Sequence, residues 1–236
     1  MSPTVVWPEL SSPMLKIPAL LTGLSLIAMA VIAGFAYGFV YNLIYVSGDP
    51  VSSQQALLDN FELYTYGIIA WGCIIILDVM ASIGIYALYK STHKKLTLFT
   101  SLLRITYTFF LILATYQLAM PLMNYNEIHN GLYYMESFSK IWTYGLIVFG
   151  LHLIFLSRVC LQSNFTPKII SVLLCVGGIS YVVVESLKSF SPSLYSLTDI
   201  LESVLIIPMA ISELAFSIWL IVKAIRLPHY SLTHSK

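Results

Sequence analysis

Four ionisable residues lie far inside long apolar stretches of this chain: Asp78, Arg104, His152 and Glu213. A charged side chain at the centre of a membrane-crossing helix costs about 2.5–3.5 kcal/mol on insertion scales. Such side chains therefore pair with one another, and they mark ligand sites and proton pathways. The histidine adds a group that titrates near neutral pH. We expect the four to form one cluster that binds a small polar ligand or relays protons.

Two other roles stay open for the same residues. Interhelical hydrogen bonds in membrane proteins contribute about 0.6 kcal/mol on average, so a structural network in a non-catalytic scaffold or accessory subunit is one alternative. An intramembrane metal-dependent hydrolase is the other, because His152, Asp78 and Glu213 could supply three zinc ligands. No H-x-x-x-H or H-x-x-E-H spacing accompanies them. The sequence indicates no catalytic residue and no metal site, and it leaves both enzymatic activity and any cofactor undetermined.

The composition defines the surroundings of these residues. Of the 236 residues, 58% are hydrophobic and 10% are charged, whereas soluble domains are about 45–50% apolar and ~25% charged. A formal net charge of +1 offers no basic surface, so no nucleic-acid partner is expected. The three cysteines form no C-x-x-C pair and predict neither a disulfide framework nor a zinc site. The lipid bilayer is the expected partner, and a homo-oligomer or a larger membrane complex stays open.

Six apolar runs are long enough to cross a bilayer, which takes about 20 residues. They cover approximately residues 17–41, 64–89, 96–121, 141–161, 167–187 and 204–225. The pattern predicts an all-α polytopic membrane protein, a six-transmembrane-helix bundle over 17–226 with tails at 1–16 and 227–236. The connections 42–63 and 122–140 contain apolar residues such as Leu132 and Tyr133, which predict short interfacial helices.

The basic residues predict the orientation, because short cytoplasmic loops are enriched in Lys and Arg. A cytoplasmic N-terminus leaves Lys140 and Lys188 outside and Arg104 within the membrane, and it puts the other nine of the 12 basic residues inside. Acidic residues collect in the opposite connections, as at Asp49 and Asp59. Both termini are therefore predicted to be cytoplasmic.

Helical spacing places other residues beside the charged ones or at helix contacts. Thr100, Arg104 and Thr108 follow one another at intervals of four, which is a polar stripe on one helix face. Gly34 and Gly38 form a G-x-x-x-G motif. Such motifs let helices approach closely, and we expect this one to pack span one within the bundle, with homodimerisation as the alternative.

Several short motifs occur in order along the spans: Leu77-Asp78-Val79, Leu103-Arg104, Phe149-Gly150-Leu151-His152, Pro167-Lys168-Ile169-Ile170 and Glu213-Leu214. In these motifs the chain resembles a family of uncharacterised six-span bacterial membrane proteins, domain of unknown function 4386. Ser212 and Thr166 stand where that family usually has glycine and leucine. The resemblance implies a bacterial inner-membrane protein and brings no established activity. Our expectation is a small transporter or a transport-related subunit.

Overall fold

The computed structural model describes residues 15–226, and this range contains helices and no strand. The α-helices are α1 (Lys16–Ala33), α2 (Asn42–Ile44), α3 (Pro50–Asp59), α4 (Phe61–Met123), α5 (Gly131–Gln162), α6 (Lys168–Phe190) and α7 (Tyr195–Arg226). A π-helical segment, Gly34–Tyr41, joins α1 to α2. The predicted tails, 1–16 and 227–236, lie almost wholly outside the described residues.

Five helical stretches are long and apolar enough to cross a membrane: Lys16–Ile44, Phe61–Met123, Glu127–Gln162, Lys168–Phe190 and Ser196–Arg226. Their length and apolar composition identify a multi-pass membrane protein, which confirms the predicted all-α class. Together these stretches form a bundle in which α1 contacts α4 and α7, while α5 lies between α4 and α6.

Helix α4 supplies two of the six predicted spans. A straight helix of its 63 residues would be roughly 95 Å long, about three times the hydrocarbon thickness of a bilayer. The backbone leaves helical geometry at His93 (φ −154°, ψ 86°), and the arms 61–92 and 94–123 run antiparallel. Three hydrogen bonds join the two arms, and their partners lie closer together in sequence as His93 is approached. They run from Tyr64 to the Leu118 carbonyl, from Ser82 to the Ser101 carbonyl, and from Thr97 to the Tyr89 carbonyl.

Of the two longer connections, 42–63 agrees with the prediction and 122–140 differs from it. Helix α3 lies between spans one and two, as expected, and Asp49 caps it by accepting a hydrogen bond from the Ser52 amide at 3.0 Å. The hydrogen bonds from Ser52 lower the pKa of the Asp49 carboxyl. The short helix predicted around Leu132 is wrong, because α5 begins at Gly131 and runs without interruption into the membrane span.

Burial explains the longer α5. Met135 and Phe138 are fully buried, the Met135 carbonyl accepts a hydrogen bond from Tyr41 at 3.0 Å, and the Phe138 ring lies 5.0 Å from the ring of Trp71. A helix that began at residue 141 would leave these contacts without a regular backbone. Tertiary packing therefore extends the span by about three turns.

Glycines set the closest helix contacts in the bundle. A Cβ atom on Gly150 of α5 would lie 2.7 Å from the carbonyl oxygen of Gly178 on α6, and a Cβ on Gly178 would lie 2.7 Å from that of Gly150. A Cβ on Gly23 of α1 would lie 2.8 Å from the Ser217 carbonyl oxygen of α7. Side chains are excluded at these positions, so the backbones pack directly against one another.

The expectation that the G-x-x-x-G motif packs span one within the bundle is wrong, whereas homodimerisation through it stays a prediction. A Cβ built on Gly34 or Gly38 would meet no atom of residues 15–226 within 4 Å apart from the adjoining backbone, and both glycines are exposed. They lie in the π-helical segment, where the wider helical turn changes which residues face the neighbouring helices. Helices α1 and α7 thus pack tightly at Gly23 and leave open space beside Gly34 and Gly38.

Candidate functional site

Arg104 is the centre of a buried ion network. It lies in the second arm of α4, and its Nη2 is 2.6 Å from Asp78 Oδ1 in the first arm. Its Nη1 is 2.8 Å from Glu213 Oε1 on α7. The planar guanidinium can address two carboxylates in different directions, which the point charge of a lysine cannot do equally well. One side chain therefore ties both arms of α4 to α7.

His152 of α5 is the fourth member of the predicted cluster, whose other members come from the two arms of α4 and from α7. Its Nδ1 is 2.9 Å from the carbonyl oxygen of Thr100, which can only accept, so Nδ1 carries the proton. The unprotonated Nε2 then faces Arg104 Nη1 at 3.4 Å. All four residues expected to converge do so.

Two neighbours hold the network in place. The Thr108 hydroxyl, one turn after Arg104, donates to Asp78 Oδ2. The ring of Phe149 lies under the guanidinium, with 5.4 Å between Arg104 Cζ and the ring centroid, a distance suited to a cation–π contact. The arginine is thus fixed by charge on two sides and by an aromatic face on another.

The members of the network differ in accessibility. The side chains of Asp78 and Arg104 are 1% exposed, whereas that of Glu213 is 26% exposed. His152 is fully buried. Arg104 Nε is also buried and has no hydrogen-bond partner among the described residues. Glu213 is therefore the member that a molecule from outside the network can reach.

A cavity of about 450 Å³ lies against this network. Its lining within residues 15–226 includes Asp78, Arg104 and Glu213 but not His152. His152 lies behind the wall and contacts two residues that line it, Arg104 and Phe149. Beside the charged groups the wall is apolar and aromatic, and the π-helical segment forms part of it through Gly34, Tyr37 and Gly38. Segments of π-helix are rare and are frequent at functional sites.

A second charged cluster lies towards the predicted outer end, and the sequence interpretation missed it. Lys188 Nζ is 2.6 Å from Glu202 Oε1 and 3.7 Å from Glu185 Oε1. Glu185 is only 3% exposed, and its Oε2 has no hydrogen-bond partner in the described part of the chain. The signal was the spacing of Tyr181, Glu185 and Lys188, which fall on one face of α6.

Among residues 15–226 there is no group of three or more His, Cys, Asp and Glu side chains arranged to hold a metal ion. The interpretation of His152, Asp78 and Glu213 as zinc ligands finds no support in this geometry, because Arg104 lies between them and pairs with both carboxylates. A guanidinium in that place occupies the oxygen atoms that a zinc ion would need.

Fold and site together define a polytopic, all-helical membrane protein with an ion network beside a partly open cavity. The chain belongs to the family described as a domain of unknown function (DUF4386), whose sequence model matches residues 21–224. A curated relative from Archaeoglobus fulgidus, named uncharacterized protein, is 27% identical over 168 residues, which are 71% of this chain and 90% of the relative. No solved structure matches the chain. The family predicted from the motifs is confirmed.

Proposed function

We propose that this protein binds a small polar ligand in the cavity beside Asp78, Arg104 and Glu213, as a small transporter or a transport-related subunit. The observation that carries the proposal is that three charged side chains line a cavity of about 450 Å³ whose wall is otherwise apolar. Cavities of ≈ 300–1,000 Å³ with a few convergent polar groups are typical of ligand sites.

The exposure of Glu213 favours binding over a purely structural role. A network that only fixed helix packing has no need of a charged member that borders open space, because the pairs within it already compensate the charges. Here the Glu213 side chain is 26% exposed and faces the cavity. The opposite end of the network, His152 and Thr108, is sealed and supplies rigidity.

Proton relay is the second form of this proposal, and the charge count favours it. Asp78 and Glu213 share the single cation Arg104. The network has one carboxylate in excess, which a proton or a cationic group can neutralise. Both forms use the same cavity and the same carboxylates, and they differ in what occupies the site.

The proposal includes a location. It places the protein in the bacterial inner membrane with both termini in the cytoplasm, which rests on the distribution of basic residues along the chain and on the family resemblance. The lipid bilayer is its main partner, and assembly with further copies or with other subunits is compatible with this role.

The test is a thermal-unfolding screen in uncharged detergent with a panel of amines, amino acids, carboxylates and sugars. We expect at least one class to raise the unfolding temperature of the wild type, because a ligand that binds only the folded state stabilises it. The same compound should stabilise Glu62→Gln, a matched control at an exposed position, but not Glu213→Gln. The scaffold alternative would win if no compound acted and the site variants only lowered stability.

A further inference from the structure

The charged residues that line the cavity favour a ligand with a positive charge. Among the described residues that line it, the charged ones are Asp78, Arg104 and Glu213, two acids and one base. The neighbouring His152 donates from Nδ1 to a carbonyl and presents its other nitrogen to a guanidinium, an arrangement that suits a neutral ring. A ligand with one positive charge balances the excess carboxylate, whereas an anion would meet two carboxylates.

The outer cluster repeats the same imbalance. Glu185 and Glu202 face the single base Lys188. Tyr181 lies one turn from Glu185 on α6 and lines the cavity. The ion network and this second cluster therefore both carry more acid than base, which raises the local concentration of cations over anions.

Aromatic side chains make up a large part of the cavity wall. Within residues 15–226 six of them line the cavity: Tyr37, Trp71, Tyr107, Trp142, Phe149 and Tyr181. They contact one another, as between Trp71 and Trp142 with ring centroids 5.2 Å apart. Clusters of aromatic faces bind ammonium groups through the negative charge of their π-systems, and Trp is the strongest of them.

The wall offers little to a strongly hydrated solute. Besides the charged residues, its polar atoms belong to the tyrosine hydroxyls and tryptophan N–H groups, and Trp142 Nε1 already donates to the Tyr107 hydroxyl at 3.4 Å. A sugar or a polyanion would leave many polar groups without partners, which is costly in an apolar site. An apolar body with one charged nitrogen would not.

We propose that the cavity binds a hydrophobic organic cation, an amine or quaternary ammonium compound with an apolar substituent. The nitrogen lies beside Glu213 and Asp78, and the substituent lies among the aromatic rings. This inference rests on the proposed function and specifies the chemistry of its ligand. A cavity of about 450 Å³ can hold a ligand the size of a substituted benzylammonium.

The test compares three probes of the same shape class on the full-length protein in uncharged maltoside micelles. Benzyltrimethylammonium is the cation, neopentylbenzene replaces its nitrogen by carbon, and benzylsulfonate is the anion. Binding is measured through the fluorescence of Trp71 and Trp142, which line the cavity, with Trp7 and Trp219 replaced by phenylalanine. We expect the cation to bind at least tenfold more tightly than either of the other two.

Variants test whether the preference for the cation arises from the residues that line the cavity. Glu213→Gln should weaken binding of the cation at least tenfold and leave that of neopentylbenzene unchanged, because it removes charge and keeps shape. Tyr181→Leu should weaken the cation through loss of an aromatic face, and it provides a second variant that leaves the ion network intact. Glu62→Gln should bind all three probes like the wild type.

Three results would overturn the inference: equal affinity for the cation and its carbon analogue, tighter binding of benzylsulfonate, or no binding of the cation. The solute screen separates this failure from that of the proposed function. If an amino acid or a sugar stabilises the wild type but not Glu213→Gln while the cation does not bind, the cavity is a ligand site of another chemistry. If neither experiment detects a Glu213-dependent ligand, both proposals fail.

Discussion

Arg104 holds together charges that would otherwise oppose insertion and packing. Asp78 and Glu213 come from different helices and meet only at its guanidinium. Removing one member of a buried ion pair leaves the partner charge without compensation, which is worse than removing both. The stability of the bundle should therefore depend more on the balance of these charges than on their number.

We predict that Arg104→Met lowers the free energy of unfolding by about 3–5 kcal/mol, because two carboxylates are then left facing each other. The double variant Arg104→Met with Asp78→Leu should be more stable than the single one, since only the partly exposed Glu213 stays unpaired. Unfolding by denaturant in maltoside micelles measures both. Arg158→Met, at an exposed position, is the control and should change stability by less than about 0.5 kcal/mol.

If the double variant is as unstable as Arg104→Met or less stable, the ion pair between Arg104 and Asp78 is not what holds the arms of α4 together.

The convergence of Asp78, Arg104, His152 and Glu213 could be predicted because each lies in the middle of an apolar run, where isolation is expensive. Which of the four residues pair with one another could not be predicted, because the pairing depends on how the helices are rotated against one another. The burial of Glu185 could not be predicted for a related reason. It is near the end of its span, where an acid normally reaches water, and only the packing of α5 and α7 around α6 buries it.

At the scale of elements, glycines divide into two kinds. Gly150 and Gly178 fill a place that admits no Cβ atom, whereas Gly34 and Gly38 border open space. The sequence does not distinguish them, because both kinds occur in apolar helices. The π-helical turn that exposes Gly34 and Gly38 has no reliable sequence signature, which is why the predicted contact was wrong.

We predict opposite effects for the two kinds of glycine. Gly150→Ala should lower stability by about 1–3 kcal/mol, because its Cβ would be 2.7 Å from the Gly178 carbonyl oxygen and the backbones must separate. Gly38→Ala should be neutral or stabilising by up to about 1 kcal/mol, since alanine restricts the unfolded chain and meets no atom of the described residues. Thermal unfolding of both variants tests this, and equal losses would contradict the close contact described for α5 and α6 and the open space described beside Gly38.

Helix boundaries likewise depend partly on local composition and partly on tertiary packing. The cores of the six spans follow from length and apolar composition alone. The early start of α5 at Gly131 depends on the burial of Met135 and Phe138 against spans one and two, contacts between residues far apart in sequence. Local composition around residues 131–140 contains polar and apolar residues together and therefore indicates only a connection.

At the scale of the whole molecule, the basic residues predict the orientation. Lys94, beside the break in α4, should face the cytoplasm, and Asp59 at the end of α3 should face outside. Both are exposed. With the native cysteines replaced, a membrane-impermeant maleimide applied to intact cells should label Asp59→Cys and not Lys94→Cys. Labelling of Lys94→Cys alone would reverse the orientation.

The central claim is that the ion network borders a ligand cavity and is not a sealed scaffold. Its most direct test uses Ala210→Cys, which lines the cavity one turn before Glu213, in a protein whose three native cysteines are replaced by alanine. The measurement is its rate of modification by the trimethylammonium-ethyl and sulfonatoethyl methanethiosulfonates, each normalised to Ser193→Cys at an exposed position. We expect the normalised rate of the cationic reagent to exceed that of the anionic one at least tenfold, and Glu213→Gln to remove most of this preference. Equal normalised rates that do not respond to Glu213→Gln, or no reaction with either reagent, would contradict the claim.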